Sequence, residues 1–245
     1  MKKKICMVSG AANGIGYEVC ACFSRMGYDC IGLDQDKERL RDLEHCKWKL
    51  HCDLMNGEHY GSIEEQILRY TERAEEITLV NNLGGSCAAQ IYESQWNNVL
   101  HTFAFNLKSM VYLTEIAVKS MKKAGKGRII NVSSISGRYN LQTIHEDYAA
   151  AKSAILGYSR IMAGKLARDN ILVNTVCPGI IGTDRIRQRW EIRDQQYNEE
   201  ILAQIPLGHI GRPEEVAKAI AFLGGEDNTY ITGAVLDING GMYMP

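Results

Sequence analysis

The chain has 245 residues, 45% of them hydrophobic, and its 28 basic and 29 acidic side chains leave a net charge of −1. That length suits one large α/β domain, and the charge balance gives no reason to expect nucleic acid or a membrane surface as partner. No run approaches 18 apolar residues, so no bilayer span is expected, and the eight cysteines (Cys6, Cys20, Cys22, Cys30, Cys46, Cys52, Cys87, Cys177) lack any C-x-x-C pair, as expected of reduced, buried thiols in a cytoplasmic protein without a metal site.

In chain order, the lysines at 2–4 read as solvated, and the apolar run ICMV beyond them is too short for a signal-peptide core. Residues 4–8 (KICMV) predict a first strand, 9–16 a turn, 17–27 a helix, and DCIGLD a second strand closing on Asp34. In this βαβ unit Gly10 permits the tight bend, Gly14 lets the backbone approach a pyrophosphate, and Gly16 lets the helix pack on the strand, while the helix N-terminus offers N–H groups to the anion. Asn13 and Ile15 complete the expected cofactor-binding turn. An acid 18 residues after Gly16 strengthens the dinucleotide reading. Asp34 can accept hydrogen bonds from both adenosine ribose hydroxyls and repel a 2′-phosphate, which favours NAD over NADP. Gln35 agrees with that choice; Lys37 and Arg39 weigh against it.

A charged helix (36–45) and a third strand (48–54) follow. A helix with its apolar face on Tyr60, Ile63, Ile67 and Ala74 then leads to a fourth strand, ITLVNN, at 77–82. A long helix at about 95–123 carries Trp96, Val99, Leu100, Phe103, Met110, Val111 and Leu113 as core or interface residues. RIINVSS (128–134) is the fifth strand, 138–147 a loop, 170–179 the sixth strand, GRPEEVAKAIAFLGG the last helix, and ITGAVLDINGG the seventh strand. No repeat or low-complexity tract interrupts this doubly wound Rossmann fold, a seven-stranded parallel sheet with helices on both faces.

Tyr148 and Lys152, four apart on an Ala-rich helix, share one face. A free tyrosine has a pKa of about 10, and bringing it near 7 takes roughly 4 kcal/mol, which one cation at ~4 Å in a medium of dielectric ~20 supplies. Taken alone, a Tyr–Lys pair at this spacing more often leaves the lysine in solvent.

The surroundings are more specific. Ser134 lies in SSISG just after a strand, 14 positions before Tyr148, and S-G-A-A-N-G-I-G at 9–16 looks like the pattern T-G-x-x-x-G-x-G with Ser9 for threonine. Together these residues resemble the short-chain dehydrogenase/reductase family over nearly the whole chain. The resemblance implies that Asn106, Ser134, Tyr148 and Lys152 are catalytic, with Asn106 kinking its helix and holding a water. It assigns Asp53 to the adenine amino group, Leu54 to the adenine face, and Asn82 and Gly84 to the cofactor cleft. A cap on the following helix competes for Asp53. In the family pattern P-G-x-x-x-T, Pro178 and Gly179 turn the chain beneath the nicotinamide, Ile181 offers backbone and Thr183 a hydroxyl to the carboxamide. The family's N-N-A-G reads Asn81-Asn82-Leu83-Gly84 here, which alters the expected adenosine-ribose cleft. The Ser134–Tyr148 interval is one residue longer than the commonest spacing, so the loop before Tyr148 should bulge, and Ser133 remains an alternative to Ser134.

His145 could be a second acid–base group or a substrate contact, but the blander and favoured reading is a histidine decorating a helix start. The family varies most in 184–205, where a substrate lid is expected. There Arg185, Arg189 and Arg193 recur every four residues, suggesting a basic face for a substrate carboxylate or phosphate. A solvated helix balanced by Glu191, Asp194, Glu199 and Glu200 is the favoured alternative.

The expected activity is NAD-dependent hydride transfer between a secondary alcohol or its ketone and nicotinamide, with no metal. Tyr148 acts as acid/base, Lys152 lowers its pKa and holds the nicotinamide ribose, and Ser134 bonds the reacting oxygen. An acyl-carrier-protein ketoreductase is the substrate-level alternative. A sugar-nucleotide epimerase of the extended branch is disfavoured by the glycine spacing, and a non-catalytic NAD-binding regulator by the joint presence of Ser134, Tyr148 and Lys152. The resemblance also implies a homo-oligomer, tetramer or dimer, pairing through the 95–123 and 148–168 helices.

Overall fold

In the computed structural model, which describes residues 3–86, 96–140 and 144–245, seven parallel strands form one sheet in the order β3-β2-β1-β4-β5-β6-β7. They are β1 (Lys4–Ser9), β2 (Asp29–Asp34), β3 (Trp48–His51), β4 (Glu76–Asn81), β5 (Gly127–Val132), β6 (Ile171–Pro178) and β7 (Val235–Ile238). Strand order reverses between β1 and β4, so the chain leaves these two strands on opposite sides of one crevice at their carboxyl ends.

The central strands are apolar on both faces because helices cover both. Cys6 and Val8 of β1 pack with Val19 and Phe23 of α1 (Gly14–Arg25) and with Val216 and Ile220 of the last helix, Pro213–Gly224. Ile5 and Met7 face the other way, towards Ile63 and Ile67 in the helix Tyr60–Thr71 and Leu113 and Ile116 in the helix Ser109–Ala124. These helices, with the short α2 (Lys37–Arg41) after β2, make α3 of Tyr60–Thr71; α4 is Trp96–Phe103, α5 Ser109–Ala124 and α6 Glu146–Leu166. Two short helices, α7 (Asp184–Ile192) and α8 (Gln195–Ala203), precede α9, Pro213–Gly224.

Several expectations are corrected. Lys3 donates to the Tyr70 carbonyl at 2.8 Å and Lys4 pairs with Glu226 at 2.7 Å, so neither is simply solvated. The third strand stops at His51 because the Asp53 carboxylate accepts the Met55 N–H at 2.8 Å and turns the chain. The long helix is interrupted by a π turn, Ala104–Lys108, and of its residues expected in the core or an interface, Trp96 and Leu100 are 70% and 49% exposed in the single chain. The seven described cysteines are free and buried; Cys87 lies outside the described residues. Among the described residues no helix is long and apolar enough to cross a membrane, and no His/Cys/Asp/Glu cluster suits a metal.

At the amino end of the sheet, Glu76 is 1% exposed and accepts from Tyr28 Oη (2.6 Å), Lys126 Nζ (2.8 Å) and the buried Arg128 guanidinium. Glu76→Ala leaves that guanidinium in the interior without its carboxylate, and is expected to cost about 3–5 kcal/mol in urea unfolding while the far end of the sheet keeps its geometry. A loss below about 1 kcal/mol would show that Arg128 finds another partner.

Candidate active site at the carboxyl end of the sheet

The glycine-rich turn leaves β1 with Gly10 and Gly14 both in the left-handed region (φ +66° and +54°), which L side chains adopt only with strain. The first turn of α1 has neither a side-chain cap nor an acid, so its N–H groups remain available to an anion. Asn13 and Gly14 line a cavity of about 260 Å³ with Arg39, Thr183 and Arg187. Ile15 packs against the core of that face, and a Cβ on Gly16 would lie 2.0 Å from the Gly10 carbonyl oxygen.

Asp34 sits at the end of β2 with both carboxylate oxygens held, one accepting the Ala12 N–H and the other the Asp36 N–H, each at 2.9 Å. Arg39, the base that weighed against NAD, is bound to two acids, Asp184 at 3.1 Å and Asp36 at 3.6 Å. Asp53 does not cap a helix; Asn56 caps the next turn, accepting the Glu58 N–H at 3.0 Å. Leu54, expected on the adenine face, has its side chain 3% exposed in the core, while its carbonyl accepts from Tyr60 Oη at 2.8 Å.

Across the crevice, the exit of β4 is braced to the glycine turn. Ser9 Oγ accepts the N–H groups of Asn82 and Leu83, both at 3.1 Å, so serine keeps the hydroxyl its position uses. Asn82 Nδ2 donates to the carbonyls of Ser9 (3.1 Å) and Gly10 (3.0 Å), which makes Asn82 a brace for the turn. Asn81 Nδ2 donates to Asn131 Oδ1 at 2.8 Å, tying β4 to β5.

Beyond Asn82 the chain converges on Asn106 and Lys152. A Cβ on Gly84 would stand 2.5 Å from Asn106 Oδ1 and 2.8 Å from Lys152 Nζ, so only glycine fits between them. Asn106, on the π turn and 1% exposed, donates from Nδ2 to the carbonyls of Gly85 and Thr102, both at 2.8 Å, and accepts the Gly85 N–H at 3.1 Å. The widened turn is what lets this side chain reach the Gly85 backbone.

Ser134 stands in extended conformation two residues beyond the end of β5, which stops at Val132 rather than running to 134, and its Oγ accepts the Ser136 N–H at 3.1 Å. Ser133 Oγ donates instead to the Lys152 carbonyl at 2.8 Å, leaving Ser134 as the serine beside the phenol. Burial is the largest influence on Tyr148 and holds its phenol above the usual 10, while the Ser134 hydroxyl and the Arg185 guanidinium pull it down. Lys152 is 3% exposed; burial lowers its ammonium to about 8. Its Nζ donates to the Val132 carbonyl at 3.0 Å and sits 5.7 Å from the centre of the Tyr148 ring. The i, i+4 spacing points to Lys152 as the source of the pull on the phenol. The guanidinium acting on it here comes from α7, thirty-seven positions further along.

The start of α6 holds a residue that sequence reasoning missed, Asp147, beside His145, which the sequence already singled out. Asp147, 2% exposed, accepts from Thr102 Oγ1 at 2.6 Å and from the Tyr148 N–H at 2.6 Å. His145 is 5% exposed, with Nδ1 2.7 Å from Asp147 Oδ1, so it is built into the helix start rather than decorating it. An acid beside the tyrosine was the only sequence signal. The loop expected to bulge before Tyr148 falls partly on residues 141–143, outside the described set.

Pro178 ends β6, and the Gly179 N–H donates to the Ile238 carbonyl at 2.9 Å. Ile181 is buried, its carbonyl accepting the Thr183 N–H at 2.7 Å, and Thr183 precedes α7 with its methyl against Gly14. The turn after β6 therefore closes over the glycine turn after β1.

A family model described as enoyl-(acyl carrier protein) reductase matches residues 10–243. The chain is 34% identical over 252 residues to the 3-oxoacyl-(acyl-carrier-protein) reductase FabG of Thermotoga maritima, covering 100% of this chain and 99% of that one. It is 32% identical to the acetoacetyl-CoA reductase of Rhizobium meliloti, covering 98% and 99%. The solved structure described as ElxO with NADP bound superposes with a TM-score of 0.86 at 28% identity, covering 99% of both chains. With these likenesses spanning the sheet, the glycine turn and the Ser134–Tyr148–Lys152 cluster alike, the chain belongs to the short-chain dehydrogenase/reductase family of oxidoreductases.

Proposed function

We propose that the protein interconverts a secondary alcohol and its ketone using a nicotinamide dinucleotide, NAD in preference to NADP. The observation that carries this reading is the meeting of Ser134, Tyr148, Lys152 and Asn106 at the crevice where the strand order reverses, beside a glycine turn with an uncapped helix. The residues suit the cofactor. The N–H groups at the start of α1 would meet the pyrophosphate, Asp34 the adenosine ribose, Asp53 the adenine edge, and Lys152 and Thr183 the nicotinamide end. Bound there, the cofactor supplies the two-electron hydride chemistry that side chains lack.

The protein's own part is proton transfer and orientation. Tyr148 takes the hydroxyl proton of the alcohol, or returns it to the ketone, and Ser134 donates a hydrogen bond to the reacting oxygen. Asn106 fixes the Gly85 backbone that walls the site, and the 184–205 segment forms a lid over a single cofactor-binding domain. The names of the relatives make 3-oxoacyl thioesters the alternative substrate class. Trp96, Leu100 and Ile161, all well exposed on α4 and α6, support a homo-oligomer pairing through those helices.

The test is nicotinamide absorbance with a panel of secondary alcohols, ketones and 3-oxoacyl thioesters, using each dinucleotide in turn. Absence of turnover across the panel would sink the reading. For cofactor choice, Asp34→Ser removes a fixed charge and hydrogen-bond acceptors worth about 1.5–3 kcal/mol, so the NAD-to-NADP ratio of kcat/KM is expected to fall roughly 10- to 100-fold. Equal use of both cofactors by the unaltered protein would refute the Asp34 argument.

A further inference from the structure

The lid arginines are exposed, but most of the acids near them are engaged elsewhere. Asp184 is paired with Arg39 at 3.1 Å, Asp194 accepts the N–H groups of Gln196 and Tyr197, and Glu199 and Glu200 accept from Gln195 and Gln196. Among the described residues Arg185, Arg187, Arg189 and Arg193 form no ion pair. Nor is the expected three-residue row intact. Helix α7 ends at Ile192, and Arg193 turns out in extended conformation over the Tyr197 ring, leaving Arg185 and Arg189 one helical turn apart. Two like charges at that spacing repel each other, and among the described residues neither is in an ion pair with an acid.

Arg185 is the one that reaches the chemistry. Its Nη1 would be 2.8 Å from a Cβ on Gly85, with Phe105 Cε1 at 3.5 Å from the same point. Gly85 is the residue clamped by Asn106 at 3.1 and 2.8 Å, so the guanidinium lies against the wall of the catalytic crevice. Its field is felt at both Tyr148 and Lys152. A planar guanidinium with no carboxylate partner among the described residues, set against the Gly85 wall of the crevice, is a fork that fits a carboxylate through two parallel hydrogen bonds.

Resting on the alcohol–ketone reading above, we infer that the substrate is a short hydroxy or oxo acid whose own carboxylate, a few bonds from the reacting carbon, is bound by Arg185. In oxidation the carbinol carbon gives up its hydrogen with two electrons to the nicotinamide, the hydroxyl proton passes to Tyr148 and on to solvent, and the carbon–oxygen double bond forms; the carboxylate is unchanged. Arg189, one turn out, adds a second positive charge at the mouth.

The experiment compares 2-hydroxybutyrate, 3-hydroxybutyrate and 4-hydroxypentanoate with their methyl esters, and acetoacetate with a neutral acetoacetyl thioester, in the intact protein and in Arg185→Gln and Arg185→Lys. The ratio of kcat/KM for acid over ester should exceed about 10 for at least one pair in the unaltered protein. It should drop by about 10²-fold in Arg185→Gln, the size of a lost charge-assisted pair, chiefly through KM, with partial recovery in Arg185→Lys. Equal losses on acid and ester, or a preference for the esters or the thioester, would overturn the inference while leaving the alcohol–ketone reading intact. Calorimetric binding of the same acids to cofactor-loaded protein separates the opposite case. Binding that Arg185→Gln weakens without any turnover would keep the carboxylate site and remove the reaction, and absence of both binding and turnover would remove both.

Discussion

Tyr148→Phe is expected to lower turnover by about 10³-fold while cofactor binding and folding persist, since general acid–base groups contribute ~10²–10⁴-fold. The substitution removes a single oxygen. The ring remains in place beside Lys152, and Ser134 keeps its bond with Ser136. Ser133 is committed to the Lys152 carbonyl, whereas His145 is bonded to Asp147 through Nδ1 only, its buried Nε2 having no partner among the described residues, so a residual rate in the variant would be traced by a second substitution, His145→Phe. The pH profile of the unaltered protein should carry the same signature. Because burial holds the phenol above 10, the base form needed for oxidation grows as pH rises, so oxidation should climb into the alkaline range while reduction, which uses the protonated phenol, stays level through neutrality. Retention of more than a tenth of the rate by the phenylalanine variant, read from nicotinamide absorbance, would take Tyr148 out of the mechanism.

Lys152→Met should move activity and stability in opposite directions. The amine is 3% exposed and burial lowers it to about 8, against about 10.4 in an unfolded chain. Below pH 8 both states carry the proton, and the folded state bears the full penalty of an enclosed ammonium. Between about 8 and 10.4 the unfolded chain binds more protons, so folding gains stability as pH rises; above that range the penalty is gone. The full shift corresponds to about 3 kcal/mol, and methionine forfeits only the 3.0 Å bond to the Val132 carbonyl, so a gain of roughly 1–2 kcal/mol at pH 7 is expected, vanishing above about pH 10. Turnover should fall at least about 10²-fold. A variant less stable than its parent at pH 7, by calorimetry at matched pH values, would mean that the ammonium is better solvated than its burial implies.

What could be read from the sequence was local. The glycine turn, the acid closing β2 and the Tyr148–Lys152 spacing each span a few residues or one βαβ unit, where steric rules and helical periodicity act directly, and the seven strands appear because both sheet faces are buried. What escaped was set by distant partners. Nothing near Asn106 announces that it clamps Gly85, twenty-one residues earlier, nor that Thr102 and Asp147 meet across forty-five. The basic row failed for a physical reason: fourfold spacing makes a stripe only while a helix continues, and α7 stops before Arg193. For Trp96 and Leu100 the sequence left core and interface open, because an amphipathic pattern says which side is apolar, not whether this chain covers it.

The π turn at Ala104–Lys108 has a bearing on the rest of the molecule. One surplus residue swings everything downstream by about 100° around the axis. All sixteen residues of α5 inherit that rotation, and Met110, Leu113, Ile116, Ala117 and Met121 are buried in the phase it sets. Trimming the loop to restore an unbroken ladder would therefore do more than relocate one amide: it would roll an entire greasy stripe away from the sheet. The reactive cleft and the hydrophobic interior behind it share one angular setting, and neither can be re-tuned alone.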